Sequence, residues 1–294
     1  MFDLFKKEIP QNKEIIKNEH AGYYSFILGV VIILGSVLSA IPIVIYYIVN
    51  NHDLNTMSSM DMLLSLYGTI FSSLLVLLFA CKINKRTLFS LGLTKYNILK
   101  RYGLGLMIGF ITLSLSLFIT FILGGTKFNG FADMNIPLLI LFFIGFMFQG
   151  FEEELLCRGF MMYGLSKKQS LFFAMMYNSL FFALLHLGND GMNILAFMNL
   201  FLAGLSFSCM AVYFDDIWVA SGAHSMWNYA QGNIFGILVS GMNMGSSIFN
   251  IELVGNTWIS GGKFGLEGGI GVFVVEILTI LVFCALYKKK GVKA

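Results

Sequence analysis

From residue 22 to residue 49 the chain carries no charged side chain, a run longer than the roughly 20 apolar residues needed to cross a hydrocarbon core. In lipid such a segment can satisfy its own backbone polar groups only as a helix. Further runs follow at 62–81, 102–123, 136–163, 170–187, 192–214, 217–239 and 269–287. They predict an all-α fold, a polytopic membrane helix bundle with about eight transmembrane helices. Composition agrees, because 57% of the residues are hydrophobic and 12% charged, whereas a soluble domain holds roughly 45–50% apolar residues.

Eight crossings would leave both termini on one face, and the basic residues test that arrangement. Seventeen of the nineteen lysines and arginines fall inside under this assignment, and only Lys127 and Lys263 fall outside, as the excess of cytoplasmic positive charge requires. The expectation is an integral protein of a bacterial cytoplasmic membrane with both termini cytoplasmic. The net charge of +3 is then a topology signal, and no nucleic-acid signature accompanies it. The first twenty residues lack a cleavable leader pattern, so the first span reads as an anchor. Cys81, Cys157, Cys209 and Cys284 stand singly in apolar segments, without disulfide or metal-knuckle spacing. Trp218, beside Asp215 and Asp216, reads as an interfacial anchor. Gly105 and Gly109 form a small-xxx-small pair that lets another helix approach closely. The chain divides into an N-terminal tail (1–20), three helices with their loops (21–135), a core rich in buried polar residues (136–241), an outer loop (242–268) and a last helix with a basic tail (269–294).

Charge inside the fourth run demands a reason. Glu152, Glu153 and Glu154 follow an apolar stretch with no solvated loop between, and Arg158 comes four residues after Glu154. Ionisable groups at such depth are costly and usually face a bundle interior or a wet cavity. The i,i+4 spacing pairs Glu154 with Arg158, which leaves Glu153, turned by about 100°, free for other work. The next inner turn lies near Lys167, and at about 1.5 Å per residue His186 returns to within about 7–8 Å of Glu153's depth. His224 and Asn228 sit similarly beyond Asp216 and share one helix face. His20 and His52 occupy polar flanks. Glu276, at comparable depth in the last span, reads as a protonated or hydrogen-bonded structural group. Taken singly, His186 could be a core histidine, Asn228 interhelical glue and Phe182, one turn before His186, ordinary packing. Their convergence on one depth argues for a shared cavity.

In chain order the residues spell E-E-x-x-x-R at Glu153, Glu154 and Arg158, F-x-x-x-H at Phe182 and His186, and H-x-x-x-N at His224 and Asn228. This series resembles the CPBP intramembrane proteases, the CAAX protease and bacteriocin-processing enzymes also called the Abi family. The resemblance covers about a third of the chain, from residue 136 to 230. Asn199 reads as a match to a further family position, Cys157 stands where the family often has an aromatic residue, and Glu152 lies outside the motif. The resemblance implies an intramembrane endopeptidase acting on membrane-associated protein or peptide substrates. Its catalytic set would be Glu153, Glu154, His186, His224 and Asn228, with Arg158 and Phe182 in support.

The chemistry of these groups fits that activity. A glutamate in a low-dielectric site accepts a proton from water, with a histidine holding the water. His224 and Asn228 could donate to the oxyanion. Two histidines and a carboxylate also suit zinc, with Glu153, His186 and His224 as ligands; HExxH is absent, and zinc and a metal-free mechanism are both open on these residues. Ser206 lacks the glycine pattern of a rhomboid-type nucleophile, and no GxGD aspartyl motif occurs. The alternatives are a proton-coupled or cation transporter, which the absence of an inverted hydropathy repeat disfavours, and a non-catalytic membrane scaffold.

Overall fold

The computed structural model describes residues 3–11, 15, 19–50 and 58–291. His52, and Lys13 and Lys17 of the tail, lie outside the described residues. Long helices dominate: α1 (Ala21–Asn50), α2 (Ser59–Leu78), α3 (Ile98–Ile122) and α4 (Ile136–Glu154). After α4 the helix continues with π register over Leu155–Met162 and closes as the short α5 (Tyr163–Leu165). Then come α6 (Leu171–Leu185), α7 (Ile194–Phe214), α8 (Trp218–Tyr229), the four-residue α9 (Thr257–Ser260) and α10 (Ile270–Gly291). Two strands, β1 (Thr126–Phe131) and β2 (Phe249–Leu253), pair antiparallel with Thr126 opposite Leu253 and Phe131 opposite Phe249.

Six helices among the described residues are long and apolar enough to cross a membrane, rather than the eight expected. The two that fall short are the fifth and seventh runs. α6 holds 15 residues, a length of about 22 Å that does not span a 30 Å core. It stops where Gly188, Asn189, Asp190 and Gly191 break the apolar pattern. α8 holds 12 residues and ends in a π turn over Ala230–Ile234 before Gly236 adopts a positive φ of 72°. Of the apolar residues beyond it, which the sequence reads as helix, Ile237 packs in a core cluster and Val239 lines a cavity. The outer loop is structured. Rather than a plain loop, it supplies β2, α9 and two 3-10 turns, Gly262–Phe264 and Leu266–Gly268. Cross-strand pairing with β1 fixes it, and Phe249 packs against Phe128 and Phe131 there.

The bundle is built around α8, whose residues Val219 to Ser225, with Trp227 and Asn228, are buried. Small residues let its neighbours come this close. A Cβ on Gly109 of α3 would sit 2.1 Å from the Ala223 carbonyl oxygen, and one on Gly105 would sit 2.2 Å from that of Val219. From the other side, Gly150 of α4 meets Ser225, with 2.7 Å between the position of an added Cβ and the Ser225 amide nitrogen. No side chain larger than hydrogen fits at such contacts, so these glycines set the separation of α3, α4 and α8. α4 itself starts at a defined point: Asn135 Oδ1 accepts from the Leu138 amide at 3.1 Å and Pro137 occupies the first turn, a helix start that both residues favour.

Candidate active site

Glu153 and Glu154 lie at the end of α4, where the helix changes from α to π register. Rotation by one residue sends them different ways. Glu154 turns into the protein, where its Oε1 accepts from Arg158 Nη1 at 2.9 Å and from His224 Nδ1 at 3.0 Å. Glu153 turns to a cavity, and its Oε2 lies 3.8 Å from His224 Nε2. One imidazole thus stands between two adjacent carboxylates. Arg158 is fully buried; it also donates to the Gly204 carbonyl at 2.7 Å, and its guanidinium lies over the rings of Phe182 and Phe207 at 5.0 and 5.4 Å. A buried ion pair holds only when such additional partners satisfy it.

The two histidines are oriented by what holds their Nδ1 atoms. A carbonyl oxygen only accepts, so His186 Nδ1, 2.9 Å from the Phe182 carbonyl, carries the proton and leaves Nε2 as the acceptor in the neutral ring. His224 Nδ1 donates to Glu154 by the same logic. Phe182 lies 4.8 Å from the His186 ring and 5.9 Å from that of His224, and Phe207 stacks on His224 at 4.8 Å. Asn228 Nδ2 donates to Gln149 Oε1 at 2.9 Å, and Gln149 Nε2 donates in turn to Glu153 Oε1.

Glu153, His186, His224 and Asn228 all line one cavity of about 230 Å³, together with Gln149 and Phe182. Met62, Ser65, Leu66 and Thr69 of α2 also line it, as do Val239 and Ser240 and, from the outer loop, Met242, Met244 and Glu267. Glu154 and Arg158 stand behind that lining. Glu276 and Asn199 do not face the cavity. The Glu276 carbonyl accepts from Ser206 Oγ at 3.4 Å, and Asn199 Nδ2 donates to the carbonyls of Glu267 and Gly269 at 2.7 and 2.9 Å, tying down the outer loop. Cys157 packs with Phe182, Ala183 and Leu200.

Three residues of this region carried no functional signal in the sequence reading. Gln149 sits four residues before Glu153, and that spacing alone could have marked it. Glu267 comes from a loop more than a hundred positions away, and no spacing rule reaches it. Its Oε2 accepts from the Ser240 amide at 2.7 Å and from Ser240 Oγ at 2.9 Å. Burial pushes the Glu267 carboxyl above the usual range, and the two Ser240 donors oppose that rise by favouring the anion. By sequence Arg86 reads as a topology charge. It is buried, and it donates to the carbonyls of Gly159 and Phe160 at 2.9 and 2.7 Å, bracing the π segment that follows the glutamates.

Residues 135–230 match the family model described as Rce1-like, type II CAAX prenyl endopeptidase. This match, over about a third of the chain, supports a CPBP/CAAX protease assignment. No curated protein and no solved structure matches the chain. The matched segment contains every motif residue, from Glu153 to Asn228, and the six long apolar helices among the described residues support an integral membrane protein. Glu267 and the α2 residues of the cavity wall lie outside the matched segment. Metal ligation is a separate question of donor geometry. Among the described residues no three His, Cys, Asp or Glu side chains converge as a metal-holding group. Both Nδ1 atoms are engaged elsewhere. That arrangement leaves the Nε2 atom of each histidine for the cavity, and no step below is routed through a metal.

Proposed function

We propose that the chain is an intramembrane endopeptidase that hydrolyses peptide bonds of membrane-associated protein or peptide substrates by activating a water between Glu153 and His186. Water donates one hydrogen to Glu153 Oε2, a buried carboxylate oxygen with no hydrogen-bond partner among the described residues, and the other to His186 Nε2. Its lone pair then faces the substrate carbonyl. As the oxygen–carbon bond forms, Glu153 takes the proton as general base. The oxyanion accepts from His224 Nε2–H and from the Asn228 Nδ2 hydrogen not used by Gln149. Since His224 Nδ1 already donates to Glu154, the Nε2 donor requires the imidazolium, and Glu153 and Glu154 on either side stabilise that charge. Breakage of the carbon–nitrogen bond returns the proton from Glu153 to the departing amine.

The observation that carries this reading is that side chains from α4, α6 and α8 open onto one cavity. The family-model match supports peptide hydrolysis, and the basic-residue distribution supports both termini inside; we place the chain in a bacterial cytoplasmic membrane. The test compares membrane-associated peptides in cells carrying the wild-type chain, Glu153→Ala or His186→Ala at equal membrane abundance. A substrate processed by wild type should accumulate uncut in both variants, and processing that continues unchanged in both refutes the assignment.

A further inference from the structure

Type II CAAX prenyl endopeptidases, by their name, act near a C-terminus that follows a prenylated cysteine. A peptide with three residues beyond the scissile bond carries its terminal carboxylate within about 10 Å of the reacting carbonyl. That places a negative charge inside the cavity or at its mouth, where the low dielectric screens it poorly.

The charges that would meet it are of the wrong sign. The cavity lining contains Glu153 and Glu267 and no lysine or arginine among the described residues. Arg158 sits behind the lining, fully buried and committed to Glu154 and the Gly204 carbonyl. Protonating both His186 and His224 would at most neutralise the two carboxylates and leave no surplus positive charge. Glu267 is held in place as an acceptor by both donors of Ser240, a residue kept at a positive φ of 47° in the tight turn where Val239 pairs with Met242. The rest of the lining is neutral, with Ser65, Thr69, Gln149, Asn189 and Asn228 as its polar groups.

Resting on the endopeptidase reading above, we infer that this site selects peptide segments that are neutral or basic beyond the scissile bond, internal or blocked at the C-terminus, and disfavours a free-acid C-terminal tripeptide. Glu267 is the specificity-determining residue. It repels a terminal carboxylate and attracts a cationic side chain in the same position.

The full chain in lipid nanodiscs, incubated with one library of apolar peptides made once with free-acid and once with amidated C-termini, provides the test, with cleavage read by mass spectrometry. Cuts three residues from the C-terminus should be at least tenfold faster in the amidated set. Glu267→Gln should bring that ratio toward one. Ser65→Lys, at an exposed position of the cavity wall, should favour the free acid and needs no change to the Glu267–Ser240 lock. Equal or faster cutting of the free-acid set by wild type overturns the inference while leaving the endopeptidase reading intact, provided Glu153→Ala abolishes both. Cutting of neither set, or cutting that Glu153→Ala leaves unchanged, overturns that reading and this inference with it.

Discussion

His224 Nδ1 lies 3.0 Å from Glu154 Oε1, the same oxygen that accepts from Arg158. Glu154 therefore joins the fully buried Arg158 to the ring that faces the cavity, and its loss would act on both. Glu154→Ala should leave a buried guanidinium without its anion and cost about 3–5 kcal/mol, seen as a lower unfolding midpoint in detergent together with lost cleavage. Glu154→Gln keeps the shape but not the charge. It should fold better than the alanine variant yet cut at least tenfold more slowly, and wild-type turnover by the Gln variant would remove Glu154 from the mechanism.

Glu153 differs from its neighbour in having no ion pair with Arg158. Glu153→Gln should leave thermal stability within about 0.5 kcal/mol, as for surface-like changes. Cleavage should fall by about 10²–10⁴, the usual contribution of a general base. Single-turnover rates and a thermal melt on the same preparation separate the two effects.

Gln149 links Asn228 to Glu153 through its two amide ends. Gln149→Leu should lower kcat roughly tenfold with little change in KM. Asn228→Leu in that background should then cost less than it does alone, because neighbours in one network are not additive. Additive losses in the double variant would show that the bridge does not matter for turnover.

The glycine contacts around α8 predict a contrast between positions. Gly150→Ala puts a Cβ against the Ser225 backbone, and overpacking of this kind costs about 1–3 kcal/mol. It should also displace His224 and Asn228 and slow cleavage. Gly103→Ala on α3 meets nothing within 4 Å and should stabilise by about 0.5–1 kcal/mol. Denaturation of the two variants side by side gives the comparison.

Dialysis of the purified chain against a strong chelator should leave cleavage unchanged, since the cavity donors do not form a three-ligand group among the described residues. Loss of activity restored by added zinc would reverse this prediction.

Much of the site was legible without coordinates. Three glutamates and an arginine in an apolar run, two histidines at returning depths and an asparagine one turn on could be ranked by cost alone, because lipid makes unexplained charge rare. The helical period separated Glu153 from Glu154 for the same reason. The number of crossings was not legible. Hydropathy counts apolar residues whether they face lipid or protein, so the buried α8 and the short α6 read as full spans.

Local rules reach as far as one helix turn or one hairpin, so the amino-acid order by itself determined a helical membrane protein, its charged motif and the family it resembles. Which carboxylate the His224 ring donates to, the bridge through Gln149 and the arrival of Glu267 at the cavity were decided only by tertiary structure. Each depends on the closeness of backbones that glycine contacts and a strand pair across 120 residues impose, and no periodicity in the chain encodes a distance of that kind.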